Sequence, residues 1–234
     1  MDSKAFYDEY VGRQLAAGVN KRHVAIAGWL ERFGLKEGHR VLEIGCGVGT
    51  VTGLILEALG PQGSLLAVDL SPKSIEAAGD RLDSFPNLQL EAGDVLEMEV
   101  EGPFDVIVLP DVIEHIPLEL HSRLFSRLRD WVAADGFILL HYPNPWYLQW
   151  CQENRPDLLQ HVDQPIHADQ LSANAYSHGL YLDFLETYSI WIREGDYVAA
   201  VLRPVRGERE FHQVEEGSSS IRSNLRRLLG KLLP

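Results

Sequence analysis

A chain of 234 residues, 45% hydrophobic and 24% charged, is long enough to bury a full core and is expected to form one main domain. No apolar run approaches the roughly 18 residues of a membrane span, and the opening Met1-Asp2-Ser3-Lys4 lacks the basic and apolar regions of a signal peptide, so a cytoplasmic location is expected. The formal charge of -13 becomes -17 once the +4 of residues 217–234 is set apart, which argues against nucleic acid as a partner, and two cysteines without a CxxC pair exclude a disulfide framework.

Residues 5–33 read as one or two helices whose apolar surface comes from Phe6, Tyr7, Tyr10, Leu15, Val24, Ile26, Trp29, Leu30 and Phe33. Strands are predicted at 40–45, 64–69, 87–92, 104–109 and 136–141, with helical patterns at 50–59, 72–83 and 118–133 between them. A Trp/Pro/Gln-rich stretch covers 144–166, followed by a helix at 168–178 and strands near 181–190 and 196–203. This alternation predicts an α/β fold, a largely parallel sheet with helices on both faces. The chain thus divides into a helical segment at 1–37, an α/β domain at 38–205, and a tail at 206–234. Gly217-Ser218-Ser219-Ser220 reads as a flexible linker. Beyond it, Ile221, Leu225, Leu228, Leu229 and Leu232 alternate with Arg222, Arg226, Arg227 and Lys231 as in a short basic amphipathic helix. Such a helix can make peripheral contact with an anionic membrane through residues 221–233, or dock on the acidic body or a partner subunit.

Val41 to Thr50 joins a buried-strand pattern to three glycines at alternate positions and then to a helix. Glycine permits positive φ and lets a ligand lie directly on the backbone. The spacing is GxGxG with Glu43 two residues ahead, whereas the dinucleotide fingerprint is GxGxxG, so the loop points away from NAD. A second buried strand, Leu65 to Val68, ends in Asp69, whose carboxylate can accept from both hydroxyls of a ribose or cap the helix at Ser71-Pro72. Gly93-Asp94-Val95 follows the third strand. Over about residues 38–205 the chain resembles the class I S-adenosylmethionine (SAM) dependent methyltransferases, whose motif I matches Glu43 to Gly49. The resemblance implies a Rossmann-like seven-stranded sheet with an antiparallel last strand, and residues 1–37 folding over the cofactor as a lid. It implies SAM as cofactor, held by Glu43, Gly45, Cys46, Gly47, Gly49, Asp69, Leu70, Asp94, Val95 and Pro110, with Asp94 accepting from the adenine amino group.

The fourth strand ends without the (N/D)PPY motif of amine-modifying relatives and instead leads into Asp111-x-x-Glu114-His115. Three readings follow. Glu114 and His115 start a helix beside the cofactor; or His115, with an ordinary pKa of about 6.5, serves as a general base toward an acceptor hydroxyl; or Asp111, Glu114 and His115 bind a divalent cation that acidifies that hydroxyl. The segment is similar to the ExxEH of the ubiquinone-biosynthesis O-methyltransferases and the small-RNA 3′-terminal 2′-O-methyltransferases, with Asp111 in place of the first Glu. That resemblance implies a metal set of Asp111, Glu114, His115 and His161, with His167 competing for the last place and Mg, Mn or Zn as the ion. Tyr142, Trp146, Tyr147 and Trp150 line an acceptor pocket or pack as core. The resulting expectation is O-methylation of a small-molecule or lipid-linked acceptor, with Glu114 and His115 as catalytic residues. A metal-free C- or N-methyltransferase, and a non-catalytic SAM-binding module recruited by its tail, are the alternatives.

Overall fold

A computed structural model describes residues 11–160 and 162–205. The predicted basic helix at 221–233, His161 and the first ten residues lie outside the described residues. Residues 11–17 are helical and lead into α1 (Lys21–Phe33). The α/β body then runs β1 (Arg40–Ile44), α2 (Thr50–Leu59), β2 (Ser64–Asp69), α3 (Pro72–Leu82), β3 (Leu88–Ala92) and β4 (Phe104–Pro110). Its second half comprises α4 (His121–Trp131), β5 (Val132–Pro143), α5 (Pro145–Asn154), α6 (Ala168–Ser177), β6 (Leu180–Tyr188) and β7 (Tyr197–Pro204).

The seven strands form one sheet in the order β3-β2-β1-β4-β5-β7-β6. β1 to β5 pair in parallel, while β7 is antiparallel to both β5 and β6. The predicted α/β sheet with an antiparallel last strand is therefore the observed one. Consecutive residues of β1 and β4 are buried, because helices cover both faces. Val41, Val106, Val108 and Leu139 pack with Ile26 and Leu30 of α1 and Ile55 and Leu59 of α2. Leu42, Ile107, Ile138 and Leu140 point the other way, onto Phe125 and Leu128 of α4 and Leu171 and Ala175 of α6. The chain winds outward from β1 to β3 and then returns to β4 on the other side of β1. That reversal opens a crevice at the carboxyl ends of β1 and β4, where ligands of such sheets bind.

Two stretches differ from their sequence patterns. The helix expected over 118–133 is a 3-10 turn at Leu118–Leu120 followed by α4, and the chain becomes strand at Val132. Gly136 permits this early start, since a Cβ there would lie 2.7 Å from the Asp105 carbonyl oxygen, so only glycine lets β5 press this closely on β4. Within 144–166, α5 forms because Asn144 accepts from the Trp146 N–H and Pro145 occupies the first helical turn. No helix among the described residues is long and apolar enough to cross a membrane.

Candidate active site

The glycine loop is folded back onto the end of β2. The Val68 carbonyl accepts from Gly45 N at 2.7 Å and Cys46 N at 3.1 Å, and Asp69 Oδ2 accepts from Gly47 N at 2.8 Å. Gly45 has φ +80°, and a Cβ there would come within 2.2 Å of Val112 Cγ2. The loop encloses a cavity of about 570 Å³ at the switch point. Every residue assigned to the cofactor from the sequence lies in its wall except Gly49. Gly49 instead packs the loop against α3, where a Cβ would meet Leu82 Cδ1 at 2.8 Å.

Glu43 is fully buried, and among the described residues no donor lies in hydrogen-bond geometry to either carboxylate oxygen. Burial raises its pKa to about 8, against a smaller opposing pull from the nearby Thr52 hydroxyl. A buried carboxyl in a cavity wall with no protein donor on its oxygens suits a ligand donor such as an ammonium group, which would also favour its ionised form. Asp69 stands at the end of β2 and Asp94 just after β3, with Asp94 Oδ1 accepting from Leu96 N at 2.9 Å. An ammonium, a diol and an aromatic amine spaced along one ligand match these three acids, so the wall fits SAM.

The opposite wall comes from the segment that the resemblance casts as a lid, through residues the sequence did not single out. Arg13 and Gln14 reach it from the helix at 11–17, and Arg22 and His23 from the first turn of α1, while Ile26 and Leu30 of α1 pack on the sheet. Arg22 Nη1 lies 3.1 Å from Asp111 Oδ2, His141 Nδ1 donates to Asp111 Oδ1 at 2.6 Å, and the Tyr188 hydroxyl lies 2.7 Å from His141 Nε2. Tyr197 stacks on His141 with ring centroids 4.8 Å apart. Burial disfavours charge on Asp111, but Arg22 and His141 outweigh it and hold the carboxyl at about 2. Asp111 is the one non-glycine described residue with positive φ, +56°, and this network keeps it there. A faint signal existed: Asn20 and His23 have the N-cap and N3 spacing of a capping box, which fixes where α1 starts.

Among the described residues the predicted metal ligands are not gathered at one point. The Asp111 oxygens are engaged by Arg22 and His141, because the shorter side chain at positive φ turns toward α1 and β5. Glu114 is buried behind the cavity wall, which His115 does reach, and the two side chains are 3.7 Å apart. His115 Nδ1 donates to the Val162 carbonyl and lies 3.1 Å from Asp163 Oδ1. His167 neighbours Gln149 and Trp146, and His161 lies outside the described residues. Among the described residues no three His, Cys, Asp or Glu side chains are grouped to hold a metal ion. Burial opposes a charged His115, but Glu114 and Asp163 overcome it and raise its pKa to about 9. Burial likewise raises Glu114, so the pair keeps its proton through neutral pH.

The aromatic stretch does not line the cavity either. Tyr142 is core, and Trp146 and Trp150 of α5 are 71% and 49% exposed.

Sheet order, glycine loop and the acids within β1, at the end of β2 and after β3 together define the SAM-dependent methyltransferase class. Residues 42–138 match a family model described as a methyltransferase domain, and the chain carries such a domain. It is 36% identical over 107 residues to a malonyl-[acyl-carrier protein] O-methyltransferase of Halalkalibacterium halodurans, a match covering 44% of this chain and 38% of that protein. Over 164 residues it is 30% identical to a trans-aconitate 2-methyltransferase of Methylobacterium nodulans, covering 70% of this chain and 59% of the relative. The chain thus spans well under two thirds of either relative's length. Among solved structures, a chain of the complex between the Haloferax volcanii Trm112 methyltransferase activator and a methyltransferase superposes with a TM-score of 0.74 at 14% identity, covering 89% of this chain and all of the other. At that identity the likeness is one of fold.

Gly45→Ala should abolish SAM binding, measured by calorimetric titration, because the new Cβ both clashes with Val112 and disfavours φ +80°. Glu43 should subtract stability from the ligand-free chain as pH rises from about 4.5 to 8, since it ionises in the unfolded chain while the folded chain holds its proton. Glu43→Gln should remove that contribution, so the stability difference between wild type and variant in urea denaturation should change with pH over this range; a difference that does not change with pH would contradict the buried protonated carboxyl.

Proposed function

We propose that this chain transfers a methyl group from SAM to an oxygen of a small-molecule or lipid-linked acceptor. The observation that carries the reading is the cavity whose wall includes Glu43, the glycine loop, Asp69, Asp94 and His115. Bound SAM supplies a methyl group already activated on a sulfonium, so the protein has no leaving group to activate. What the chain contributes is placement: Asp69 and the loop fix one end of the ligand, while residues of α1 and the helix at 11–17 wall the space from water.

His115 narrows the acceptor. An imidazole held protonated up to about 9 by Glu114 and Asp163 becomes a base only toward alkaline pH. Near neutrality the acceptor best served is an oxygen that is already ionised, such as a carboxylate. The two relatives are named for malonyl and aconitate compounds, both of which bear carboxylates, and one is named as an O-methyltransferase.

In a screen of acceptors with labelled SAM, we expect carboxylic acids to be methylated at rates nearly flat between about pH 6 and 8. His115→Ala should change kcat at pH 7 by less than about tenfold, whereas a wild-type rate that collapses below an apparent pKa of about 6.5, and does so only with His115 present, would restore the neutral-pH base. The tail at 221–233, whose leucine and basic positions have the sequence spacing of an amphipathic helix, would bring the enzyme to lipid-linked acceptors. Flotation with anionic liposomes should therefore recover the full chain and not a chain ending at 216; equal recovery removes membrane contact from the proposal.

A further inference from the structure

Exposed apolar side chains gather at the end of the sheet where the cavity lies. Three of the chain's five tryptophans stand out from the surface: Trp146 and Trp150 on α5, and Trp191, 54% exposed, in the turn between β6 and β7. Trp29 and Trp131 are buried. The two tryptophan-bearing segments are tied together, since Asn144 donates from Nδ2 to the Gly195 carbonyl at 2.7 Å and from its backbone N to the Asp196 carbonyl at 2.8 Å. Asp196 in turn accepts from Ile190 N at 2.7 Å and Trp191 N at 3.0 Å, which fixes the turn. Lys21 Nζ lies 5.9 Å from the Trp191 ring centre, so this turn also meets the start of α1, where Val19 and Val24 are exposed. Single exposed hydrophobes need no account, but three tryptophans with aliphatic neighbours on adjoining segments mark an interaction surface.

Charge indicates what covers it. Residues 11–30 contain Arg13, Lys21 and Arg22 and no acid, in a chain of net charge -13. Arg22 is paired inward with Asp111, while Arg13 and Lys21 are exposed. Around the tryptophans charge is balanced, with Arg155 paired to Asp157 and Arg193 next to Glu194 in sequence. A two-fold contact with a second copy would set the basic edge against itself. An anionic lipid surface attracts that edge, and indole rings, apolar with one N–H donor, settle at headgroup depth.

We propose that this end of the molecule is a membrane-contact face, in which Trp146, Trp150 and Trp191 enter the headgroup layer of an anionic bilayer and turn the cavity toward the lipid. The inference deepens the lipid-linked form of the proposed acceptor and rests on it. The segments of this face are also those that send Gln14, Arg22 and Gln160 into the cavity wall. β7 runs antiparallel to β5 and ends at Pro204, at the far end of the sheet, so a tail attached there does not by itself turn the cavity toward lipid. Stable anchoring takes two weak signals, so tail and tryptophan face act together and neither suffices alone.

The full chain would be mixed with vesicles of phosphatidylcholine and phosphatidylglycerol, with and without bromine on the phosphatidylcholine acyl chains, which quenches tryptophan at short range. We expect the brominated lipid to remove roughly half of the emission, because three of five rings face outward. A variant carrying Trp146→Ser, Trp150→Ser and Trp191→Ser should lose that quenching and bind the vesicles about tenfold or more weaker. Its affinity for S-adenosylhomocysteine should stay within about twofold of wild type, since only surface side chains change. Unquenched emission from wild type bound to brominated vesicles overturns the face and leaves the tail as the anchor. If the full chain does not float, the tail contact fails by itself. A C-terminal hexahistidine tag would then hold the same chain on nickel-chelating brominated vesicles, where quenching supports the face and its absence overturns it. Dimers in sedimentation of wild type that the triple variant lacks would mean that a second copy covers the tryptophans, and would also overturn it.

Discussion

The carboxylate of Asp69 ties the glycine loop after β1 to the turn after β2. Oδ2 accepts from Gly47 N at 2.8 Å and Oδ1 from Ser71 N at 2.9 Å, so one side chain sets the height of the loop and the start of α3 together. The Ser71 hydroxyl in turn accepts from Ser74 N at 3.1 Å, anchoring that helix. The loop can lie this close to β2 only because Gly45 and Gly47 adopt positive φ, at +80° and +53°. Each carboxylate oxygen has a second lone pair, so the group that shapes the loop can also receive a ribose diol. Positioning and recognition are thereby combined in one residue.

Around this anchor the cavity is chemically two-sided. The sheet contributes acids, Glu43, Asp69 and Asp94, while the helix at 11–17 and α1 contribute Arg13, Arg22 and His23. Asp111 joins the two sides, since its ion pair with Arg22 links α1 to β4, and His141 extends the link to β5 and, through Tyr188, to β6. Arg22 is stabilised in its charged form chiefly by Asp111, and burial of Tyr188 and Tyr197 raises their pKa values, so both phenols stay protonated. The resulting network joins the Arg22–Asp111 ion pair to two protonated phenols and ties α1, β5 and β6 to the end of β4.

The cofactor half of the site was legible because its residues sit next to one another in sequence, where strand, glycine turn and helix follow in one short run. Asp69 and Asp94 could be placed by the same rule, each directly after a predicted strand. Arg22 and His23 were not legible as site residues, since α1 looks locally like any half-polar helix and reaches the cavity only through packing of Ile26 and Leu30 on the sheet. Asp111 was marked for its type and given the wrong partners: sequence proximity suggested Glu114 and His115, whereas the fold brings Arg22 and His141 to its oxygens. In the aromatic stretch Tyr142 packs as core, one of its two expected roles, while Trp146 and Trp150 take neither. Trp146 and Trp150 lie four residues apart on one side of α5, and that side faces outward from the cavity wall.

The claim on which the rest stands is that this cavity holds the adenosyl and amino-acid parts of SAM with the ribose on Asp69. The direct measurement is calorimetric titration of the ligand-free chain with S-adenosylhomocysteine and with its 2′-deoxy analogue. We expect the first to bind with one-to-one stoichiometry and the second about tenfold or more weaker, the loss of a hydroxyl donor to an ionised carboxylate. Equal affinities for the two, or no binding of either, would contradict it.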